Sequence, residues 1–493
     1  MLQAPYKIAI PSESAIVSTM GQEISSNHFH KRDFNHFEQA LHTETALLES
    51  WFEQGRFSST PPTVGLELEA WLLDEELTPA PCNSDFLNRL NHTLVVPELA
   101  RFNVEFNSSP LPLQGSPFTQ LADELTTTWE QSAKVASTLD QQLAMIGTLP
   151  TLRESDLCLN NMSNLQRYRA LNEQVMRMRQ GSPLHFEIEG RERLDLLHDD
   201  VMMEAATTSL QIHLQVPFRQ SVEAFNCAIR LSAPMAALCA NAPYLFAHDL
   251  WEESRIPLFE QAVNVDPFNH RLGDGRVSFG SGYAHHTLLE FFQENRDHFP
   301  TILPTHQATP PEQLNHLMLH NGTIWRWNRP LVGIDHNGNP HLRIEHRVTS
   351  AGPTPEDVIA NTVFFVGTVM GMLQHPDRSA TALSFQQAKQ NFYHAARYGL
   401  DCAVEWSGGQ VNLRELLQQE LLPLAKVGLQ QLDLSSQEVL PWLEIIEGRI
   451  SSGQNGTRWQ RNWVAQHGWE PRGLMADYLQ WQHSGNPVHQ WKY

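Results

Sequence analysis

Four segments of the chain alternate apolar with polar residues, which is the pattern of a strand with one buried face. In VGLELEAWLLD, residues 64–74, the even-numbered positions from Val64 to Leu72 are apolar, while Glu67 and Glu69 leave the opposite face together. The other segments are RFNVEFNSSP at 101–110, SLQIHLQVP at 209–217 and LRIEHRV at 342–348. Two carboxylates spaced in this way lie about 7 Å apart and repel each other by about 2 kcal/mol at an effective dielectric of ~20. We therefore expect this face to be wet or to hold a cation.

Long helices are predicted between these strands, from apolar residues spaced three and four apart and from capping signals. The predicted ranges are 35–55, 116–147, 164–180, 221–245 and 285–299, followed by helices from Thr354 almost to the end, with turns at 407–410 and 452–457. Asn337-Gly338 predicts a hairpin between two strand-like runs. Antiparallel strands interrupted by long helices indicate an α+β fold rather than a doubly wound parallel sheet.

Composition narrows the class of protein. The 493 residues carry a formal charge of -21, which argues against non-specific binding to nucleic acid or to an anionic membrane. Five widely spaced cysteines without a CxxC pair indicate neither a disulfide framework nor a cysteine zinc site. The N-terminal segment lacks the continuous apolar stretch of a signal peptide. We therefore expect a soluble, cytoplasmic protein with small-molecule partners, and the sequence leaves its oligomeric state open.

The polar faces of the four strands offer an unusual set of side chains. If the strands share one sheet, four carboxylates, one imidazole and arginines gather on one face. Such carboxylates suit Mg²⁺, and the histidine would also tolerate Mn²⁺. Arginines there would hold a phosphoryl group, and Arg326 and Arg329 in WRWNRP are further candidates. Together these side chains indicate metal-assisted phosphoryl transfer from a nucleotide. The candidate residues are Glu67, Glu69, Glu105, His213, Glu345 and Arg347.

A structural alternative stands beside this interpretation. Antiparallel sheets often have one solvated polar face, so any single strand of this kind needs no functional explanation. Glutamate is depleted in strands, however, and four strands that each carry a ligand-type residue are harder to explain as a solvated surface.

The motifs ELEAWLL, VEFNSSP, SLQIHLQV and RIEHRV, in this order, resemble those of the glutamate-cysteine ligase family, specifically its second type of carboxylate-amine ligases. The resemblance implies a glutamine synthetase-like fold: a curved, mostly antiparallel sheet with helices packed on one face, whose concave face binds ATP and Mg²⁺. It covers roughly residues 60–375. We accordingly expect an N-terminal helical lead-in at 1–60, a catalytic sheet domain at 61–375 and a helical C-terminal region at 376–493 packed on it.

Carried over to this chain, the resemblance makes Glu67 and Glu69 metal ligands and places Glu105 at the ion near Glu69. It adds His213 and Glu345 at the ion near Glu67. Arg347 would contact the transferring phosphate, Arg329 would lie near the acyl phosphate, and Ser209 and Gln211 would contact substrate or nucleotide.

The resemblance implies an ATP-dependent carboxylate-amine ligase that works through an acyl phosphate. Glutamate plus cysteine or another amine would be joined, and cysteine as the amine would place the reaction in glutathione biosynthesis. Two alternatives remain open: a phosphotransferase of the guanidino-kinase type, and a non-catalytic nucleotide- or metabolite-binding protein on the same fold.

Overall fold

The computed structural model describes residues 23–24, 28–58, 60–266, 275–305, 307–335, 337–374 and 383–493. Its strands are β1 Thr63–Leu73, β2 Val95–Pro97, β3 Asn103–Asn107, β4 Leu111–Pro112, β5 Gln142–Ala144, β6 Leu184–Glu189, β7 Arg193–His198, β8 Ser209–Gln215, β9 Tyr244–Leu245, β10 His248–Asp249, β11 Val277–Ser278, β12 Trp325–Arg326, β13 Asn328–Ile334, β14 Pro340–Ser350, β15 Ala403–Trp406 and β16 Gly409–Asn412.

Helices cover most of the remainder of the described chain. They are α1 Lys31–Gln54, α2 Asn83–Leu90, α3 Pro117–Ser137, α4 Gln166–Met178, α5 Ser221–Leu238, α6 Arg255–Ala262, α7 Leu289–His298, α8 Asn315–Gly322, α9 Pro355–Leu373, α10 Phe385–Tyr398, α11 Leu413–Leu416, α12 Leu422–Gln430, α13 Ser436–Ser452, α14 Gly456–His467 and α15 Pro471–Ser484. The predicted α+β class is confirmed.

One curled antiparallel sheet organises the fold. Its strands run in the order β13-β14-β8-β1-β3-β2, and β4 and β5 pair with the two ends of β1. The four strands predicted from the alternating pattern are β1, β3, β8 and β14, which are consecutive neighbours in this sheet. Their apolar residues, such as Leu68, Ile212 and Ile344, are fully buried. The alternation in the sequence therefore corresponds to a sheet with one face in the core and one polar face.

The apolar face of the sheet is covered by two long helices. α5 packs on β14, and α9 packs on β8 and against α5. The side-chain oxygen of Thr354 caps α9 by accepting from the backbone N–H of Asp357, as the sequence signal predicts. α12 in turn packs on α9 at glycines, because a Cβ at Gly428 would lie 2.0 Å from the carbonyl oxygen of Gly367. The close approach of these two helices therefore requires glycine.

α9 is also the one helix of the described chain that is long and apolar enough to cross a membrane. Of its most apolar window, 89% is buried inside the protein. It is therefore packed as a core helix, and the cytoplasmic location stays a prediction.

Several predicted boundaries are wrong. The helix predicted at 116–147 ends at Ser137, because Asp140 adopts a left-handed conformation and residues 142–144 instead pair with the end of β1. The helix predicted at 221–245 ends at Leu238, and that predicted at 285–299 begins at Leu289. The predicted turn at 407–410 joins two strands, β15 and β16, inside a region predicted as helical. The hairpin of β6 and β7 was not predicted.

Candidate active site

Cross-strand pairing brings the polar residues predicted from the sequence onto one face. Glu69 on β1 lies directly opposite Glu105 on β3, and His213 on β8 lies opposite Glu345 on β14. Glu67 lies two residues from Glu69 on the same strand. Residues directly opposite each other in an antiparallel pair project from the same face. The expectation that these strands share one sheet with one polar face is confirmed.

Three carboxylates meet at one end of this face. Glu69, Glu98 and Glu105 each offer an oxygen, and the three oxygens lie within 4.8 Å of one another. Burial and the charge of Glu98 raise the pKa of Glu69 to about 7. Burial, together with the charges of Glu67, Glu98 and Glu69, raises the pKa of Glu105 well above its ordinary value. These carboxylates are thus placed where they need either protons or a cation.

The donor set decides which cation would fit. Three carboxylate oxygens without a thiolate among them suit a hard ion such as Mg²⁺ or Mn²⁺. No other such group of three acidic, histidine or cysteine side chains occurs within residues 28–58, 60–266 and the later described ranges. The residues present therefore fit a divalent cation at Glu69, Glu98 and Glu105.

Glu98 was missed by the sequence analysis. It directly follows the three-residue strand β2, in which Val96 lies opposite Glu105, so Glu98 continues the alternation on the side of Glu105. The phenol oxygen of Tyr168 on α4 lies 3.5 Å from the Oε2 atom of Glu98. A strand of only three residues carries too little alternation to be recognised. The neighbouring proline, which favours an extended chain before it, is the only local signal.

Glu67 has a different environment from its neighbour Glu69. Its Oε1 atom lies 3.2 Å from Nε2 of His213. Burial opposes ionisation of Glu67, but the interactions with His213 and the charge of Arg343 together outweigh it, so the pKa of Glu67 is lowered. The His213 Nε2 atom is itself buried and makes no hydrogen bond within the described residues, so a ligand bound there would satisfy it. The two carboxylates of β1 thus have different partners, and the expectation that each binds a separate ion stays a prediction.

A chain of charge-assisted hydrogen bonds crosses the face from β13 to β1. Arg329 donates from Nη2 to Glu345 Oε2 at 2.8 Å, and Arg347 donates from Nε to Glu345 Oε1 at 2.7 Å. Arg347 also donates to Gln211 Oε1 at 2.8 Å, and Gln211 Nε2 donates to Glu69 at 3.1 Å. Burial opposes ionisation of Glu345, but Arg329 and Arg347 outweigh it and lower its pKa. Glu345 is therefore a fixed anion between two arginines, and its expected role as a metal ligand stays a prediction.

Ser209 contributes its backbone rather than its hydroxyl group. Its N–H donates to Glu69 Oε2 at 2.7 Å. Ser209 and Gln211 thus both bind Glu69, and their expected contacts with substrate or nucleotide stay predictions.

Arg326 does not join the site, in contrast to the expectation for WRWNRP. Its guanidinium faces α7, where it donates to Glu294 at 2.9 Å and to Asn295. Arg326 belongs to β12, which pairs with β11 in a separate small sheet, whereas Arg329 belongs to β13 of the main sheet. Arg326 is therefore a structural residue, although it lies only three residues before Arg329 of the site.

Two further charged residues face the site. Arg343, on the same face of β14 as Glu345, forms no hydrogen bond or ion pair within the described residues, and its Nε atom is buried. Glu204 lies in the 3₁₀ turn Val201–Ala206 before β8. Burial and the charges of Glu98 and Glu69 raise the pKa of Glu204 well above its ordinary value. Arg343 thus offers a cation without a hydrogen-bonded partner, within range of the charges of Glu67 and Glu345.

Comparison with solved structures identifies the class of fold. The chain is similar to a glutamate–cysteine ligase from Francisella tularensis in complex with AMP, with 14% identity, a TM-score of 0.54, and coverage of 87% of this chain and 90% of that one. It is also similar to a bifunctional glutathione synthetase from Pasteurella multocida, with 11% identity and a TM-score of 0.54. That match covers 90% of this chain but 54% of the other, so the chain spans about half the length of the bifunctional protein. A search of curated proteins finds no significant match.

This curled antiparallel sheet has the fold of carboxylate-amine ligases. A family model described as Glutamate-cysteine ligase family 2 (GCS2) matches residues 63–477. The chain therefore belongs to the glutamate-cysteine ligase family 2 and is an ATP-dependent carbon-nitrogen ligase. The family match continues well past residue 375, so it includes most of the C-terminal helices, which lie beyond the range of the motif resemblance.

Proposed function

We propose that the protein joins the carboxylate of glutamate to the amine of cysteine, with ATP converted to ADP and phosphate through an acyl phosphate. A role in glutathione biosynthesis follows from that product. The observation that carries the proposal is the joint presence, on one sheet face, of a three-carboxylate cation site and of arginines held by a fixed anion. A ligase of this kind needs both features, because two anionic reactants must be brought together.

The reaction proceeds in two steps. A glutamate carboxylate oxygen attacks the γ-phosphorus of ATP and the bond to the bridging oxygen of ADP breaks. The neutral amine then attacks the acyl carbon, the bond to phosphate breaks, and the amine proton is lost. No covalent attachment to the protein is required, so the site needs positioning and charge stabilisation rather than a nucleophile.

The side chains of the site divide these tasks. Arg347 is held through its Nε and Nη2 atoms by Glu345 and Gln211, which leaves its Nη1 donors to bind a phosphoryl group. Arg343 is free to neutralise a second anion, either a nucleotide phosphate or a substrate carboxylate. Glu69, Glu98 and Glu105 would hold one Mg²⁺ ion, and Glu67 with His213 Nε2 a second. Bound there, the cations would withdraw negative charge from the phosphoryl oxygens.

The proposed activity is tested by incubating the protein with ATP, Mg²⁺ and glutamate, with cysteine and a panel of other amines. The expected result is amine-dependent phosphate release, with the glutamyl amide identified by mass spectrometry. Hydroxylamine in place of the amine should trap the acyl phosphate as a hydroxamate. Reactions without amine are the control.

The outcomes also separate the alternatives. A stable phosphorylated product without amide would indicate a phosphotransferase. Tight binding of ATP and Mg²⁺ without turnover on any amine would indicate a binding protein. Amide formation with an amine other than cysteine would support the ligase but correct its substrate.

The cation site can be tested without turnover. In chelated buffer at pH 8, addition of Mg²⁺ should raise the apparent melting temperature of the wild type, because an ion bound only by the folded state stabilises it by roughly 2.7 kcal/mol at about 100 times its Kd. Glu98→Gln should lose most of this gain. The control is Glu187→Gln, in the exposed pair with Arg193. An equal gain in Glu98→Gln and Glu187→Gln would exclude Glu98 from the cation site.

A further inference from the structure

The strand that carries Arg347 contains an irregularity at that residue. Pairing of β14 with β8 is regular up to His346 opposite Ile212 and resumes at Thr349 opposite Leu210. Two residues of β14, Arg347 and Val348, therefore face the single residue Gln211 of β8, which defines a β-bulge. Such a bulge leaves backbone groups without their ladder partners. After the bulge, Thr349 lies opposite Leu210 on the core face, so the alternation of Arg343, Glu345 and Arg347 is interrupted after Arg347.

One buried arginine satisfies the carbonyl groups at this bulge. The Nη2 atom of Arg255, the first residue of α6, donates to the carbonyl oxygens of Arg347 at 3.3 Å, Val348 at 3.4 Å and Thr349 at 2.8 Å. Its Nε atom donates to the carbonyl oxygen of Thr208 at 3.0 Å. Thr208 directly precedes β8. The planar guanidinium thus joins the bulge of β14 to the start of β8.

Arg255 is enclosed and cannot reach a substrate. It is 2% exposed, and its Nε atom lies 3.5 Å from Oε1 of Glu253, which is fully buried. The guanidinium also lies over the ring of Trp327, 5.9 Å from the ring centroid. The backbone carbonyl of Trp327 accepts from the N–H of Arg347 at 3.1 Å. The backbone of Arg347 is therefore held from both sides, with Arg255 on one of them.

Both strand ends joined by Arg255 lead directly to site residues. Arg347 is part of one end. The other end leads through Thr208 to Ser209, whose N–H donates to the cation-site residue Glu69. A shift of this junction would move the phosphate-binding arginine and the Glu69 carboxylate relative to each other.

We propose that Arg255 is a positioning residue that aims Arg347 at the transferring phosphoryl group through the bulge at residues 347–349. This inference rests on the proposed function, in which Arg347 contacts that group. Arg255 does not touch the reactants. Instead, it fixes the position of Arg347, which does contact the phosphoryl group. A displacement of about 1 Å in such a catalytic group can lower the rate roughly 100-fold.

Arg255→Lys is the informative variant. Lysine keeps the charge beside Glu253 but cannot donate to all four carbonyl oxygens, because a single ammonium group lacks the planar fork. We expect kcat to fall by roughly 10- to 100-fold, the range seen when groups that orient an active-site ligand are removed. The KM values for ATP and glutamate should change by less than about 3-fold, since the lost interaction develops in the transition state.

Arg179→Lys is the matched control. Arg179 is also 2% exposed and donates to the backbone carbonyls of Ser182, Asn264 and Pro183, but it contacts no site residue. Both variants lose carbonyl contacts of the same kind, so a comparable fall in melting temperature is expected for both. Only Arg255→Lys should lose kcat. Equal kcat values in the two variants would overturn the inference.

Two further measurements separate positioning from a general structural role. In an Arg347→Lys background, Arg255→Lys should lower kcat by less than about 3-fold more, because it acts through the residue already changed; fully additive losses would contradict the inference. Aluminium fluoride with ADP, a mimic of the transferring phosphoryl group, should bind the wild type and Arg179→Lys more tightly than ADP alone, and this gain should be reduced at least 10-fold in Arg255→Lys.

The fluoride measurement does not depend on amide formation. If the wild type shows the fluoride gain but forms no amide, the ligase proposal fails and the gain still tests Arg255. If the wild type shows neither the fluoride gain nor amide formation, the proposed role of Arg347 is wrong, and the inference about Arg255 is wrong with it.

Discussion

Glu105→Gln is expected to lower ATP-dependent amide formation by roughly 100-fold or more while leaving the protein at least as stable as the wild type in metal-free buffer. Loss of even an outer partner of a metal ligand costs roughly 10- to 100-fold, and Glu105 is proposed as a ligand itself. Without a cation its charge adds to those of Glu69 and Glu98. Removal of that charge relieves the repulsion.

The pH dependence of stability follows from the same charges. The pKa of Glu69 is raised from 4.5 to about 7, and that of Glu105 is also raised. The folded protein then binds more protons than the unfolded chain above pH 4.5, so stability falls as pH rises from there through about 7. For Glu69 alone the loss is of the order of 3 kcal/mol, because one pKa unit corresponds to about 1.4 kcal/mol. Glu105→Gln should flatten this decline.

Thermal unfolding between pH 4.5 and 8, in chelator and in Mg²⁺, measures these effects. The exposed variant Glu187→Gln should follow the wild type in both buffers. A Glu105→Gln protein that is clearly less stable than the wild type in chelator would show that the carboxylate forms favourable contacts rather than a repulsive cluster. Full activity would remove Glu105 from the cation site.

Glu345→Gln should abolish activity as well, but with the opposite effect on stability. Glu345 is fully buried and accepts from Arg329 and Arg347. Removal of the anion leaves two buried guanidinium groups without their shared counter-charge, a change that typically costs about 3–5 kcal/mol. The low pKa of Glu345 means that its contribution is present above about pH 4.5 and is lost as pH falls below that value. Its variant should therefore be destabilised at neutral pH.

Asp357→Asn provides the matched control for this loss. Asp357 is fully buried and pairs with Arg449 at 2.7 Å, on the core side of the structure. Both variants should show lower melting temperatures, and both should be assayed where circular dichroism shows them folded. Asp357→Asn should retain kcat under those conditions and Glu345→Gln should not. If both retain it, the arrangement of Arg329, Glu345 and Arg347 has no part in catalysis.

Glu105→Gln and Glu345→Gln are expected to change stability in opposite directions. This difference shows what sequence patterns can and cannot predict. Alternation correctly assigned both residues to the polar face, because side-chain direction along a strand depends only on local geometry with a period of two. Whether a carboxylate meets other carboxylates or arginines depends on which strands are neighbours. Strand β3 brings Glu105 to Glu69 and Glu98, and β13 brings Arg329 to Glu345.

The errors in the helix predictions have a similar origin. The sequence prediction extends the helix through the apolar run at 143–146, yet Gln142–Ala144 pairs with β1. Hydrogen bonds to a distant strand override a short local pattern, and periodicity does not distinguish a brief strand from the end of a helix. The helices α1 and α4, and the start of α9, were predicted to within a few residues.

The sequence by itself determined the α+β class, the four strands with their polar faces and the residue types for phosphoryl transfer, because each depends on short-range periodicity and on the chemistry of individual side chains. Only the tertiary structure decided that Glu98 completes the carboxylate cluster, that Arg326 faces away from the site and that Arg255 holds the bulge behind Arg347. These contacts join residues far apart in the chain, and their energies come from burial and charge pairing that no local pattern encodes.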